Sequence, residues 1–200
     1  MSRHYGVILI AGDHAADFRE WASALEYRPV GPPRPVSDYF ELYDMLREDR
    51  EGLLGLIALD GWTAVLDLQM TLACGSPATQ LSGRLKTRVF SAILEGTSST
   101  YGFQLDETGR CRRVLIYQEG EVVKEVGAAL DAEAVAFAPT GEPGEEWVDC
   151  ETGVEQMAAQ LATGNFEPVD GPIRAWAAPV EWVPPPGWVD KYADDLNDAS

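Results

Sequence analysis

The chain has 200 residues, 46% of them hydrophobic, and 15 basic against 33 acidic side chains leave a net charge of −18. That is enough apolar material for one domain with a real core, while so few Lys and Arg exclude a phosphate-tracking surface, so direct nucleic-acid binding is not expected. No apolar run approaches the roughly 18 residues that span a bilayer, the first residues lack a signal-peptide pattern, and three widely spaced cysteines (Cys74, Cys111, Cys150) suit a reduced, cytoplasmic setting.

Tyr5–Ile10 reads as a buried strand, broken at Gly12-Asp13-His14, with Asp13 as the expected helix cap. Phe18, Trp21, Ala22 and Leu25 then fall at helical spacing. The four prolines of Arg28–Pro35 forbid helix. A second helix is expected after Ser37, with Phe40, Tyr43 and Leu46 on its apolar side. Leu53–Leu59 and Trp62–Leu68 flank Asp60-Gly61, a two-residue hairpin signal in which both turn positions favour positive φ. Ser76-Pro77 predicts a third helix carrying Ala78, Leu81 and Leu85. Arg88–Leu94, Tyr101–Leu105, Cys111–Tyr117 and Val122–Val126 read as a meander whose short connections make it antiparallel. Ala134–Phe137 is expected to add a strand, and Val154, Met157, Ala158 and Leu161 a last helix.

Residues 165–200 differ in kind. Prolines recur from Pro168 to Pro186, and Trp176, Trp182 and Trp188 stand six residues apart. Six is a multiple of both two and three, so the indoles share one side of a strand or polyproline II segment. The expected architecture is therefore α+β. Residues 1–164 form an antiparallel sheet of about five to seven strands with three to four packed helices. Residues 165–200 form an extended, acidic Trp/Pro-rich strap packed on it.

The chemical signatures tested are absent: no P-loop, G-x-G-x-x-G, H-E-x-x-H, C-x-x-C or G-x-S-x-G occurs. No catalytic residue, metal site or cofactor is therefore assigned. Asp13-His14 is an acid–histidine pair without an identifiable nucleophile. Cys74 precedes a helix start, where a thiol is activated, but a small buried cysteine is the commoner outcome. Arg84/Lys86/Arg88 and Arg110/Arg112/Arg113 can hold an anion or pair with the chain's own acids. The hydroxyl-rich Glu95–Tyr101 lines a site or is a plain hairpin loop.

Charge is the most informative feature. Residues 119–200 carry 3 basic and 18 acidic side chains, residues 1–118 carry 12 and 15. Such asymmetry either keeps the protein soluble or steers a basic partner. On the second reading, Glu145, Glu146, Asp149 and Glu151 guide the encounter, and Trp147, Trp176, Trp182 and Trp188 are anchors.

Gly61-Trp-Thr63, Asp67, Leu81-Ser82, Ser99–Phe103, Gly109, Arg112-Arg113, Ile116-Tyr117, Gly120-Glu121, Gly127, Leu130 and Glu133 form a strand-and-turn punctuation over about a third of the chain. It resembles small bacterial α+β proteins, including ones similar to the immunity proteins that accompany polymorphic toxins. The resemblance implies a cytoplasmic antitoxin that binds and blocks a basic toxin, and transfers no catalytic residue. The alternative is a small-molecule-binding domain or small enzyme with a pocket between sheet and helices, its polar groups drawn from Asp13, His14, the Arg clusters or the Ser/Thr loop.

Overall fold

The computed structural model describes residues 4–163 and 173–184. Ten strands form one sheet: β1 (His4–Ala11), β2 (Tyr27–Pro29), β3 (Arg34–Val36), β4 (Leu53–Leu59), β5 (Trp62–Asp67), β6 (Arg88–Glu95), β7 (Thr100–Glu107), β8 (Arg110–Gln118), β9 (Glu121–Val126) and β10 (Arg174–Trp182). Their order is β2-β10-β4-β5-β1-β6-β7-β8-β9, with β3 also on β10, and every pairing is antiparallel. The sheet exceeds the expected five to seven strands because β2, β3 and β10 all lie in proline-rich stretches, where composition hides pairing. Pro29 and Pro35 sit on short outer strands, the place where a missing amide hydrogen is tolerated.

Five α-helices occur among the described residues: α1 (Phe18–Trp21), α2 (Tyr39–Glu48), α3 (Ser76–Leu85), α4 (Glu133–Ala136) and α5 (Cys150–Leu161). A 3-10 turn, Ala22–Leu25, continues α1. The alternating residues of β1 explain why both sheet faces are covered. Val7 and Leu9 join the core beneath α2, α4 and α5, while Ile8 and Ile10 join the core beneath α1, the 3-10 turn and α3. Under α5, Phe90, Phe103 and Phe137 stack with centroids 5.7 and 6.2 Å apart, an arrangement worth about 1 kcal/mol per pair beyond area burial.

Several local expectations are corrected. Asp13 caps nothing: its exposed carboxylate lies 3.6 Å from Arg174, and α1 starts after Asp17. Asp38, one residue beyond Ser37, caps α2 by accepting from the Glu41 amide, while Glu41 reaches back to the Ser37 amide. The buried stripe of α2 is Tyr39, Leu42 and Leu46, and Phe40 faces solvent. Gly75, not Ser76, precedes α3. Ala134–Phe137 is no strand. Glu133–Ala136 is a helical turn, shaped by the Glu133 carboxylate accepting from the Leu130 amide. The Asp60-Gly61 turn joins β4 to β5 as expected, with Leu59 opposite Trp62, but only Gly61 takes a positive φ. Of the strap expected over 165–200, residues 173–184 are described. Arg174–Trp182 is strand β10, lodged between β4 on one side and β2 and β3 on the other.

Candidate functional site

The acidic loop before α5 is built by backbone pairing. Thr140 and Trp147 each donate an amide hydrogen to the other's carbonyl at 2.8 Å, and the Glu145 amide closes a turn on the Glu142 carbonyl at 2.9 Å. The result is a tight hairpin that holds Glu142, Glu145 and Glu146 in solvent at its tip. Trp147 stands at its base with 58% of its surface exposed. Asp149 follows as the cap of α5, accepting from the Thr152 amide at 3.1 Å and from its hydroxyl at 2.8 Å. Glu151, in the first turn, bonds the Tyr101 hydroxyl; burial, and then this neighbouring negative charge, raise the Tyr101 pKa.

A cavity of about 370 Å³ opens between this loop and the sheet, lined by Ser99, Tyr101, Glu119, Gly120, Trp147 and Cys150. Four of the eight anticipated contact residues therefore sit together: Trp147, Asp149 and Glu151 line this cavity, and Glu146 adjoins Trp147. Glu145 lies at the neighbouring hairpin tip. Trp176 and Trp182 sit elsewhere. They share one face of β10, as their spacing predicts, but β10 lies five strands from β7, about 24 Å. Trp176 is half-buried against the core on the opposite sheet face, and Trp182 lines a cavity with Glu51, Gln69 and Thr71. Trp188 lies outside the described residues.

Beside the hairpin runs the last strand of the sheet. All six residues of β9 are exposed, Val122, Val123 and Val126 among them. Its C-terminal end is held from behind by Arg113, which the sequence groups with Arg110 and Arg112 as an anion-holding or acid-paired cluster. Arg113 is 1% exposed. Its Nε and Nη2 donate to both oxygens of Glu133 at 2.7 and 2.6 Å, Nη2 also meets Glu125 at 3.0 Å, and Nη1 donates to the Gly127 and Val126 carbonyls. Every guanidinium hydrogen is used. The Glu133 carboxylate raises the Arg113 pKa against the opposing effect of burial. This clamp could have been suspected only from Arg113 alternating with Leu115 on one strand face.

The groups weighed for chemistry are occupied with structure. His14 Nε2 lies 3.0 Å from the Ala11 carbonyl, its amide donates to Thr63 Oγ1, and its carbonyl accepts from the Trp21 indole. Cys74 is buried, and burial pushes its thiol up to about 12, the reverse of activation. Arg88, Arg112 and Arg113 are paired within the chain, and the clusters form no open anion site. Arg88 and Arg112 both pair with Glu107, Arg84 donates to Ser23, and Arg113 is clamped. In the Glu95–Tyr101 loop, Glu95 accepts from the Thr97 amide and contacts His4, and Ser98 bonds Thr100. Among the described residues no group of His, Cys, Asp or Glu could hold a metal ion. No helix of the described residues is long and apolar enough to cross a membrane.

A second cavity, about 490 Å³, lies between the 3-10 turn and β2, with Tyr27, Pro29 and Val183 as apolar lining and Arg19, Arg28 and Gln80 around it. None of the polar groups favoured from the sequence lines it. Comparison with known proteins gives no match to any protein-family model, curated protein or solved structure.

Proposed function

We propose that this chain is a non-enzymatic protein-interaction module, most concretely an immunity- or antitoxin-type inhibitor that occludes a basic partner with its acidic C-terminal half. The observation that carries the reading is the 140–147 hairpin: a backbone-locked turn projects three glutamates from its tip, with an exposed indole at its base. Carboxylates in solvent accelerate encounter with a basic surface, and the tryptophan at the hairpin's base supplies the anchor that is desolvated on binding. The structural employment of His14 and the raised pKa of Cys74 favour binding over catalysis. Resemblance to the small bacterial immunity-like proteins supplies the biological setting, a cytoplasmic antitoxin acting on a toxin.

Affinity capture from native lysate at low and high salt, using the wild type beside a Glu145→Lys/Glu146→Lys/Trp147→Ala variant, tests this. The expected result is one stoichiometric basic protein, lost at high salt and lost with the variant. Recovery of the chain alone in both arms overturns the proposal. A second reading has one observation in its favour, the 490 Å³ groove, whose apolar lining, with Arg19 and Glu26 beside it and Arg28 paired to Glu181, suits a small, largely apolar ligand. Ligand-induced thermal stabilisation abolished by Arg19→Ala would favour it.

A further inference from the structure

We infer that β9 is a docking edge, and that the partner adds a basic, extended strand to it, continuing the sheet beside the acidic hairpin. This rests on the inhibitor reading and specifies how the complex is made.

The two ends of the sheet are finished differently. At one end β10 is covered by β2 and β3, short strands that carry Pro29 and Pro35 and offer little to pair with. At the other end β9 runs for six residues with no described residue pairing its outer edge. Val122, Val123 and Val126 are 49, 57 and 46% exposed there; the register on β8 shifts once, at Val123, so the outer edge offers two short runs, Glu121-Val122 and Lys124–Val126, on either side of that bulge. The C-terminal end of the strand is also held in place. Arg113 grips the Val126 and Gly127 carbonyls and Glu125 from the inner side, so this end of the edge is pre-organised and little ordering entropy is lost on pairing there. Immediately beside it, the β8–β9 turn at Glu119-Gly120 forms one wall of the 370 Å³ cavity whose other wall is Trp147. An added strand therefore has main-chain partners along β9 and a side-chain pocket next to its end, the two components of strand-addition recognition.

Charge selects the occupant. Residues 119–151 contain ten acidic side chains and one lysine, Lys124. A strand with lysine or arginine at alternate positions matches that surface. A second copy of this chain does not, since it would bring the same acidic hairpin alongside.

The test uses the full chain and a ten-residue peptide of alternating lysine and valine. Two N-methylated isomers accompany it, each lacking the amide hydrogens of one edge but keeping every side chain and charge. Binding is followed at low salt by amide hydrogen exchange and chemical-shift changes in NMR spectra. The expected result is slowed exchange confined to residues 121–126, with one isomer binding at least tenfold more weakly and the other unchanged. Val123→Lys, an exposed substitution, should weaken the parent peptide by a similar factor without shifting the melting temperature. Equal, salt-sensitive binding of all three peptides, with shifts centred on 142–151, overturns strand addition while leaving the acidic-surface reading intact. Absence of binding by all three overturns it as well. So does protection of 121–126 in the free chain that grows with protein concentration, since a second copy would then be the occupant.

Discussion

Replacing Glu133 with alanine strips the buried Arg113 guanidinium of its bidentate partner. What remains is Glu125, more than half exposed, and two backbone carbonyls. Breaking a buried pair from one side costs about 3–5 kcal/mol, because the surviving charge keeps its desolvation penalty. For a chain of this size that lowers the melting temperature by about 6–20 °C. Glu125→Ala removes a solvent-screened partner of the same arginine and should cost only ~0–1 kcal/mol. Replacing both buried members with apolar residues, Arg113→Met with Glu133→Leu, should recover most of the loss. Urea denaturation of the four proteins, with a shared slope, gives the comparison directly. Hydrogen exchange should localise the damage of Glu133→Ala to β9 and the Gly127–Leu130 connection. Equal costs for Glu133→Ala and Glu125→Ala, both under about 1 kcal/mol, would refute the claim that burial makes this pair matter.

Gly127 has φ of +82°, and a Cβ there would lie 2.1 Å from the Arg112 carbonyl oxygen, whereas Gly120, at +84°, has open space around it. Gly120→Ala should cost the ~1–2 kcal/mol of a left-handed alanine, Gly127→Ala clearly more, and matching denaturation midpoints would contradict this. At about pH 8 a thiol reagent should titrate Cys111 alone in the native protein, and Cys74 and Cys150 only in urea, since those two are buried; native labelling of Cys74 would count against it. Burial raises the Asp106 pKa despite hydrogen bonds from Thr79 and Gln104. The native state thus holds this proton more tightly than the unfolded chain does. Stability is lost as pH climbs from the ordinary carboxylate value, about 3.9, through the raised native one. Asp106→Asn has no such loss, so its stability relative to wild type should improve over that window and then level off. A flat difference across the pH series would rule this out.

The regular part of the sheet was readable because its signals are local. β6 to β9 alternate apolar residues between Gly- and Ser-containing turns, and the structure places all four where the pattern does. β2 and β3 were not readable: three residues each, rich in proline, they are strands only because β10 lies beside them. Glu133–Ala136 misled for a related reason. Its apolar content suits a strand, but the carboxylate at its start is committed to Arg113 twenty residues earlier, and that contact fixes a helical turn. Of the candidate site, the acid-rich loop and Trp147 could be picked out from charge and residue type. Separation of Trp176 from Trp147 could not, because it depends on strand order, and the hairpin that presents Glu145 and Glu146 depends on a single pair of backbone hydrogen bonds.

The placement of β10 has a consequence for how the chain is made. Arg28 and Glu181, which pair across β2 and β10, are 153 residues apart, and among the described residues β2 and β3 join no other strand. During synthesis, β4 must wait with its Leu-rich outer edge unpaired until Arg174–Pro179 has left the ribosome. Non-local closures of this kind are slow, and an open apolar edge invites pairing with other chains meanwhile. The acidic residues concentrated downstream of β9 emerge during the same interval in which that edge is bare, so like-charge repulsion among them acts against association of unfinished copies.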